Sequence, residues 1–281
     1  SQSFPTYRAE LLKELDGFRV EIDVDAARAD LILDRPPFNI VRMPQRPQIA
    51  AVIDELDHDD RVRVIVIRSE GKHFSSGGDI PGFMEASQET VSQLHKYIAA
   101  PERCSKPVIA AIRGYCFGVG FELSLACDFR IVSETAELAL PEMRIGMIPG
   151  SGGSARLEKM IGVSRAKNVS LRSLRIPGKQ AEAWGIAAEC VPDDKLEEAV
   201  ASLAKELRQF SPLAQRTLKN VLNHSVNSPL EQAMEIEGQA YGRLRGGKDF
   251  AEGVASFVEV TSGGGGGEYA AVTISPDGSA T

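Results

Sequence analysis

Apolar and polar positions along the chain fall into two regimes. In the polar stretch Tyr7 to Phe18, Leu11, Leu12 and Leu15 lie at helical spacing and predict a short helix. Phe18 to Val24 and Ala29 to Leu33 then alternate as strands do, which predicts a hairpin. Past the Arg35-Pro36-Pro37 turn, the pattern predicts a helix around Gln48 to Leu56 and a buried strand over the apolar run Val62 to Ile67. A helix over Thr90 to Ala99, a strand over Pro107 to Ile112, a glycine-bearing turn, a helix over Phe121 to Ala126 and a strand over Phe129 to Val132 follow. Strands alternating with helices imply a layered α/β core.

After Gly153 the spacing is helical: Ala155 to Ile161, Arg165 to Leu171, Lys179 to Trp184, Asp194 to Gln209, Pro212 to Asn223, Pro229 to Leu244 and Asp249 to Phe257. Ala187 to Val191 is the exception, short and apolar enough for a strand. No segment repeats at a fixed period, which disfavours a solenoid. Five consecutive glycines, Gly263 to Gly267, read as a flexible linker, and Glu268 to Thr281 as an appended peptide. The expected divisions are an N-terminal helical extension over 1–17, a β-α core over 18–195, a helical region over 196–261 and a tail over 262–281.

Composition narrows the classes. The chain has 281 residues, 43% hydrophobic and 25% charged, which is ordinary globular usage and enough to bury a full core. A formal net charge of -7 offers no basic stripe to track phosphates, so no nucleic-acid partner is expected. Cys104, Cys116, Cys127 and Cys190 form no C-x-x-C pair and have no histidine at metal-finger spacing. Reduced thiols in a cytoplasmic protein are therefore expected, with no zinc and no disulfide framework. No apolar run reaches the roughly 18 residues of a membrane span, and the polar N-terminus lacks the apolar centre of a secretory signal. His58, His73, His95 and His224 are scattered, with no nucleophile motif around them, so a triad hydrolase has little support.

Three segments carry candidate chemistry. His73 to Ile80 places Gly77-Gly78 after a strand, where a ligand can approach backbone N–H groups closely; a plain turn fits the same residues. Gly114 to Glu122 has the form strand, glycine turn, helix start, and so aims free N–H groups and a helix dipole at whatever occupies the turn. A developing oxyanion suits that place. A nucleotide phosphate loop is the competing reading, but Leu123 stands where a third glycine is required. Leu140 to Gly153 puts Glu142 just after Pro141 in a largely apolar stretch, where desolvation raises a carboxyl toward the range useful for proton transfer. A salt-bridging glutamate at a helix end is the plainer alternative.

In this order and at this separation, the three segments resemble the enoyl-CoA hydratase, or crotonase, family. Ser105 to Tyr115 resembles the strand which that family places before its second oxyanion residue, and Ile176 to Pro192 resembles its later helix-turn-strand. The likeness runs from about residue 18 to residue 259. It implies a crotonase-like (ββα)n spiral core of α/β class with a C-terminal helical region. It implies that the backbone N–H groups of Gly78 and Val119 form an oxyanion hole for a thioester carbonyl. Glu122 and Glu142 match the two glutamates of members that add water to a double bond: Glu142 to activate the water and handle the Cα proton, Glu122 to hold that water. Coenzyme A would arrive as part of the substrate, its adenine against the backbone of Phe74, Ser75, Ser76, Gly77, Asp79 and Ile80, with Gly118, Pro141 and Gly150 completing the site. No metal or separate cofactor is implied.

The family further implies a homotrimer or homohexamer with the C-terminal helices between subunits, in fatty or aromatic acid degradation. Val119 stands where the family usually has glycine. With Phe117 and Phe121 nearby, it suggests an alicyclic or aromatic acyl group. The alternative reactions on the same scaffold are double-bond isomerisation, ring-opening hydrolysis and C–C cleavage.

Overall fold

A computed structural model describes residues 13–262, with the side chains of 13–256. Most of the helix expected over Tyr7 to Phe18 lies outside the described residues; within them 13–17 are irregular, and Phe18 opens a strand. Gly263 to Thr281 also lie outside.

The chain divides into two compact units, one ending at Ser202 and the other beginning at Leu203. In chain order the first holds β1 (Phe18–Asp23), β2 (Arg28–Leu33), α1 (Gln45–Asp57) and β3 (Val64–Ser69). Four short helices follow: α2 (Ile80–Glu85), α3 (Gln88–Ser92), α4 (His95–Ile98) and α5 (Ala100–Arg103). Then come β4 (Val108–Ile112), β5 (Tyr115–Phe117), α6 (Val119–Ala126), β6 (Phe129–Ser133), β7 (Glu137–Ala139) and a 3-10 turn, Glu142–Ile145. The unit continues through α7 (Gly153–Ile161), α8 (Val163–Leu171), β8 (Ile176–Pro177), α9 (Gly178–Ala183) and β9 (Glu189–Val191); α10 (Leu196–Leu207) crosses the boundary.

Six strands form one sheet in the order β1-β2-β3-β4-β6-β9. β1 and β2 pair antiparallel as the expected hairpin, and every later pairing in this sheet is parallel. The central parallel strands carry apolar runs because both faces are covered: Leu31, Ile65, Ile67, Val108, Ile109 and Ile112 are fully buried. A second, three-stranded sheet in the order β5-β7-β8 lies outside the sequence expectations. Its strands have two or three residues each, too few to display a period of two.

The helix expected over Thr90 to Ala99 is broken. Ser92 Oγ donates to the Glu89 carbonyl at 2.7 Å, and His95 Nδ1 bonds the Ser92 carbonyl at 2.9 Å. Such local side-chain bonds compete with the helical ladder. Asp128 and Arg130 fix the strand after α6. Asp128 Oδ2 accepts from the Val108 N–H at 2.8 Å, while Arg130 donates to the carbonyls of Ser124 and Cys127 at the end of α6 and to that of Ile186. Trp184 packs partly buried against the core, under the Arg165 guanidinium.

The second unit holds α11 (Pro212–Ser225), α12 (Leu230–Arg245) and α13 (Lys248–Ser262). Ser211 caps α11 by accepting from the Ala214 N–H at 3.1 Å, with Pro212 in the first helical turn. Among the described residues no helix is long and apolar enough to cross a membrane.

Candidate active site

The loop after β3 is held on both sides by its backbone. Ser75 donates to the Tyr115 carbonyl and accepts from the Phe117 N–H, each at 2.9 Å, which ties the loop to β5. On the other side Val41 donates to the Gly77 carbonyl at 2.9 Å and accepts from the Asp79 N–H at 3.3 Å. This parallel bridge uses the groups flanking Gly78 and leaves the Gly78 N–H without a backbone acceptor among the described residues.

Gly118 turns the chain from β5 into α6 with φ 52° and ψ -126°, a conformation that side-chain-bearing residues rarely adopt. A Cβ there would also stand 3.1 Å from Glu142 Oε1. Val119 follows as the first residue of α6, so its N–H is one of the donors a helix start leaves free. Gly78 and Val119 line one cavity of about 320 Å³.

Glu122 sits one turn into α6, whose eight residues are all buried. Its Oε1 accepts from the N–H groups of Ser151 and Gly153, at 2.8 and 2.9 Å. Burial pushes its carboxyl above the ordinary value, against the pull of these two donors and of the Arg46 charge. Glu142 opens the 3-10 turn, and its Oε2 is buried without a hydrogen-bond partner. Burial pushes it up to about 7; its own main-chain N–H opposes the rise and the Glu122 charge adds to it. Two carboxyls of raised proton affinity thus share a cavity with two free N–H donors. Such a cavity can polarise a carbonyl and move protons at the carbons beside it.

The cavity brings together nearly every residue expected from sequence: Ser76, Gly77, Gly78, Asp79, Ile80, Gly118, Val119, Glu122, Pro141, Glu142 and Gly150. Phe74 and Ser75 are corrections. Both are completely buried and neither lines the cavity; they anchor the loop in the core. Phe117 and Phe121 are likewise core residues, and Phe83, Val91 and Leu94 supply the apolar wall instead. Sequence reasoning gave no role to Arg46, Arg144 or Ser151, which also line it. Glu122 binds Ser151 through the main chain, which no side-chain pattern announces, and Arg46 arrives from the start of α1 by tertiary packing alone.

Comparison with known proteins agrees with this geometry. The family described as enoyl-CoA hydratase/isomerase matches residues 25–263. The 2,3-dehydroadipyl-CoA hydratase of Escherichia coli K12 is 31% identical over 235 residues, covering 82% of this chain and 91% of its own. The crystal structure of an enoyl-CoA hydratase from Bacillus anthracis superposes with a TM-score of 0.81 at 31% identity, covering 87% of this chain and 97% of that one. A Thermobifida fusca YX structure in complex with acetoacetyl-CoA gives a TM-score of 0.75 at 28% identity, over 84% and 97% of the two chains. The fold is that of the crotonases, and the chain belongs to the enoyl-CoA hydratase/isomerase family.

Proposed function

We propose that this protein is an enoyl-CoA hydratase, adding water across the 2,3 double bond of an enoyl-CoA thioester. The observation that carries the reading is the pair Glu122 and Glu142, both facing the cavity lined by Gly78 and Val119. The thioester carbonyl accepts from the two backbone N–H groups, which lowers the energy of the enolate formed when a nucleophile reaches C3. Glu142 takes a proton from water as the water oxygen bonds to C3, and then hands that proton to C2, which returns Glu142 to its ionised form, so one water is consumed and nothing else is released. Glu122, held by Ser151 and Gly153, orients that water. Loss of one oxyanion donor typically costs about 3–4 kcal/mol of barrier. Coenzyme A enters as the carrier of the acyl group; the acetoacetyl-CoA bound in the Thermobifida fusca structure supports this.

Val119 favours a second reading of the acyl group. Its side chain lines the cavity where the family usually has glycine, which favours a bulky alicyclic or aromatic acyl chain, turned over by hydration or by another enolate reaction. A trimer or pair of trimers is also proposed, supported by exposed apolar side chains on the helices of the second unit, among them Leu222, Leu230, Met234 and Tyr241. Sedimentation velocity tests that part.

Mixing the enzyme with a panel of linear and alicyclic 2-enoyl-CoA thioesters tests the reaction. Loss of the conjugated thioester absorbance, with a product heavier by one water, is expected. A double-bond shift at constant mass would make the protein an isomerase instead.

A further inference from the structure

Arg46 is the second residue of α1 and only 6% exposed, yet it lines the cavity together with Gly78, Val119 and Glu122. Burying a guanidinium is costly unless it is paired and hydrogen-bonded. Among the described residues no such partner stands: the Arg46 side chain makes no hydrogen bond or ion pair there, and its Nε is fully buried and unbonded. Other arginines nearby are satisfied, Arg156 by Glu102 and the Ser151 carbonyl, Arg42 by Asp16. Glu122 attracts the Arg46 charge from a distance, but its Oε1 is held by two backbone N–H groups and no ion pair joins the two side chains.

The guanidinium also sits close to the reacting centre. A Cβ built on Gly78 would lie 2.9 Å from Arg46 Nη2 and 3.8 Å from Val119 Cγ1. Glycine at this position lets the guanidinium pack directly on the backbone whose N–H is the proposed oxyanion donor. Arg46 therefore places a planar fork of donors in the cavity wall beside that backbone.

We propose that Arg46 selects the substrate by gripping an oxygen on the acyl chain beyond the thioester carbonyl, either a carboxylate or a ketone. The inference rests on the acyl-thioester reading of the cavity. A carboxylate takes the fork in two parallel bonds, and a ketone oxygen accepts from one or both of its N–H groups. The hydrocarbon between lies against Phe83, Val91 and Leu94.

The test uses saturated five-carbon thioesters, which bind without turning over: pentanoyl-CoA, 4-oxopentanoyl-CoA and glutaryl-CoA, titrated calorimetrically into wild type, Arg46→Met and Arg46→Lys. Wild type should bind the ketone or the carboxylate at least about tenfold more tightly than pentanoyl-CoA. Whichever of the two gains identifies the acyl oxygen. Arg46→Met should bind all three alike. Equal or tighter binding of pentanoyl-CoA by wild type overturns the proposal, as does discrimination that survives in Arg46→Met. If the methionine variant does not fold, the wild-type comparison and Arg46→Lys, which keeps the charge and loses the fork, decide the matter. Hydration of simple enoyl thioesters without discrimination would sink this inference and spare the hydratase reading, whereas failure to bind any of the three probes would remove both.

Discussion

The main-chain N–H of Ser151 donates to Oε1 of Glu122 at 2.8 Å, across 29 positions of sequence. The carbonyl of Ser151 in turn accepts from Arg156 Nη1 at 3.1 Å, and Arg156 is ion-paired with Glu102. Glu122 is thus oriented by a chain of contacts whose outer end lies outside the cavity lining.

Removing that outer end should loosen the carboxylate without touching the ligand. Arg156→Met is expected to lower kcat about tenfold, the scale expected when a charge-assisted contact is lost, with KM nearly unchanged. Steady-state kinetics check it; an unchanged kcat would show that Ser151 holds its place unaided.

Val119 contributes its N–H and not its side chain to the proposed oxyanion hole, and a proline is tolerated at the first position of a helix. Val119→Pro should therefore leave α6 in place and remove one donor. A fall in kcat of about 10²–10³-fold is expected, against a change of a few fold for Val119→Ala. Comparable activity in the two variants would place the oxyanion elsewhere.

Glu142 titrates in the working range. Its carboxyl is raised from 4.5 to about 7 by burial, so hydration by an ionised Glu142 should weaken as pH falls through about 7. Stability has the opposite sign. Between those two values the folded chain keeps a proton that the unfolded chain has released. The resulting stabilisation is complete below 4.5 and is lost as pH rises through about 7. Glu142→Gln removes this dependence and should gain up to ~2 kcal/mol on wild type at alkaline pH, solvent screening of the part-exposed group included. Thermal melts on either side of neutrality measure it.

Much of this architecture is legible in the sequence because it rests on local signals. The parallel strands β2 to β4 are apolar on both faces, and the two glycine turns sit directly after strands. Glu142 was conspicuous as a carboxylate in an apolar stretch. Glu122 carries less local signal, since α6 is buried all round and shows no amphipathic stripe; its proposed role rests on the family resemblance. Phe74 and Ser75 were misassigned because a motif read as one string gives no sign of which residues turn into the core. Arg46 was missed for a converse reason. In sequence it is one more polar residue at a helix start, and only packing against Gly78 and Val119 reveals it as a buried cation.

The central claim is that Glu142 and Glu122 act together in adding water to an enoyl thioester. Its most direct test is the rate at which wild type and Glu142→Gln bleach the conjugated absorbance of a 2-enoyl-CoA that the wild type accepts. A fall of about 10²–10⁴-fold in kcat, with thioester binding retained, is the expected result. Unchanged turnover in Glu142→Gln would contradict it.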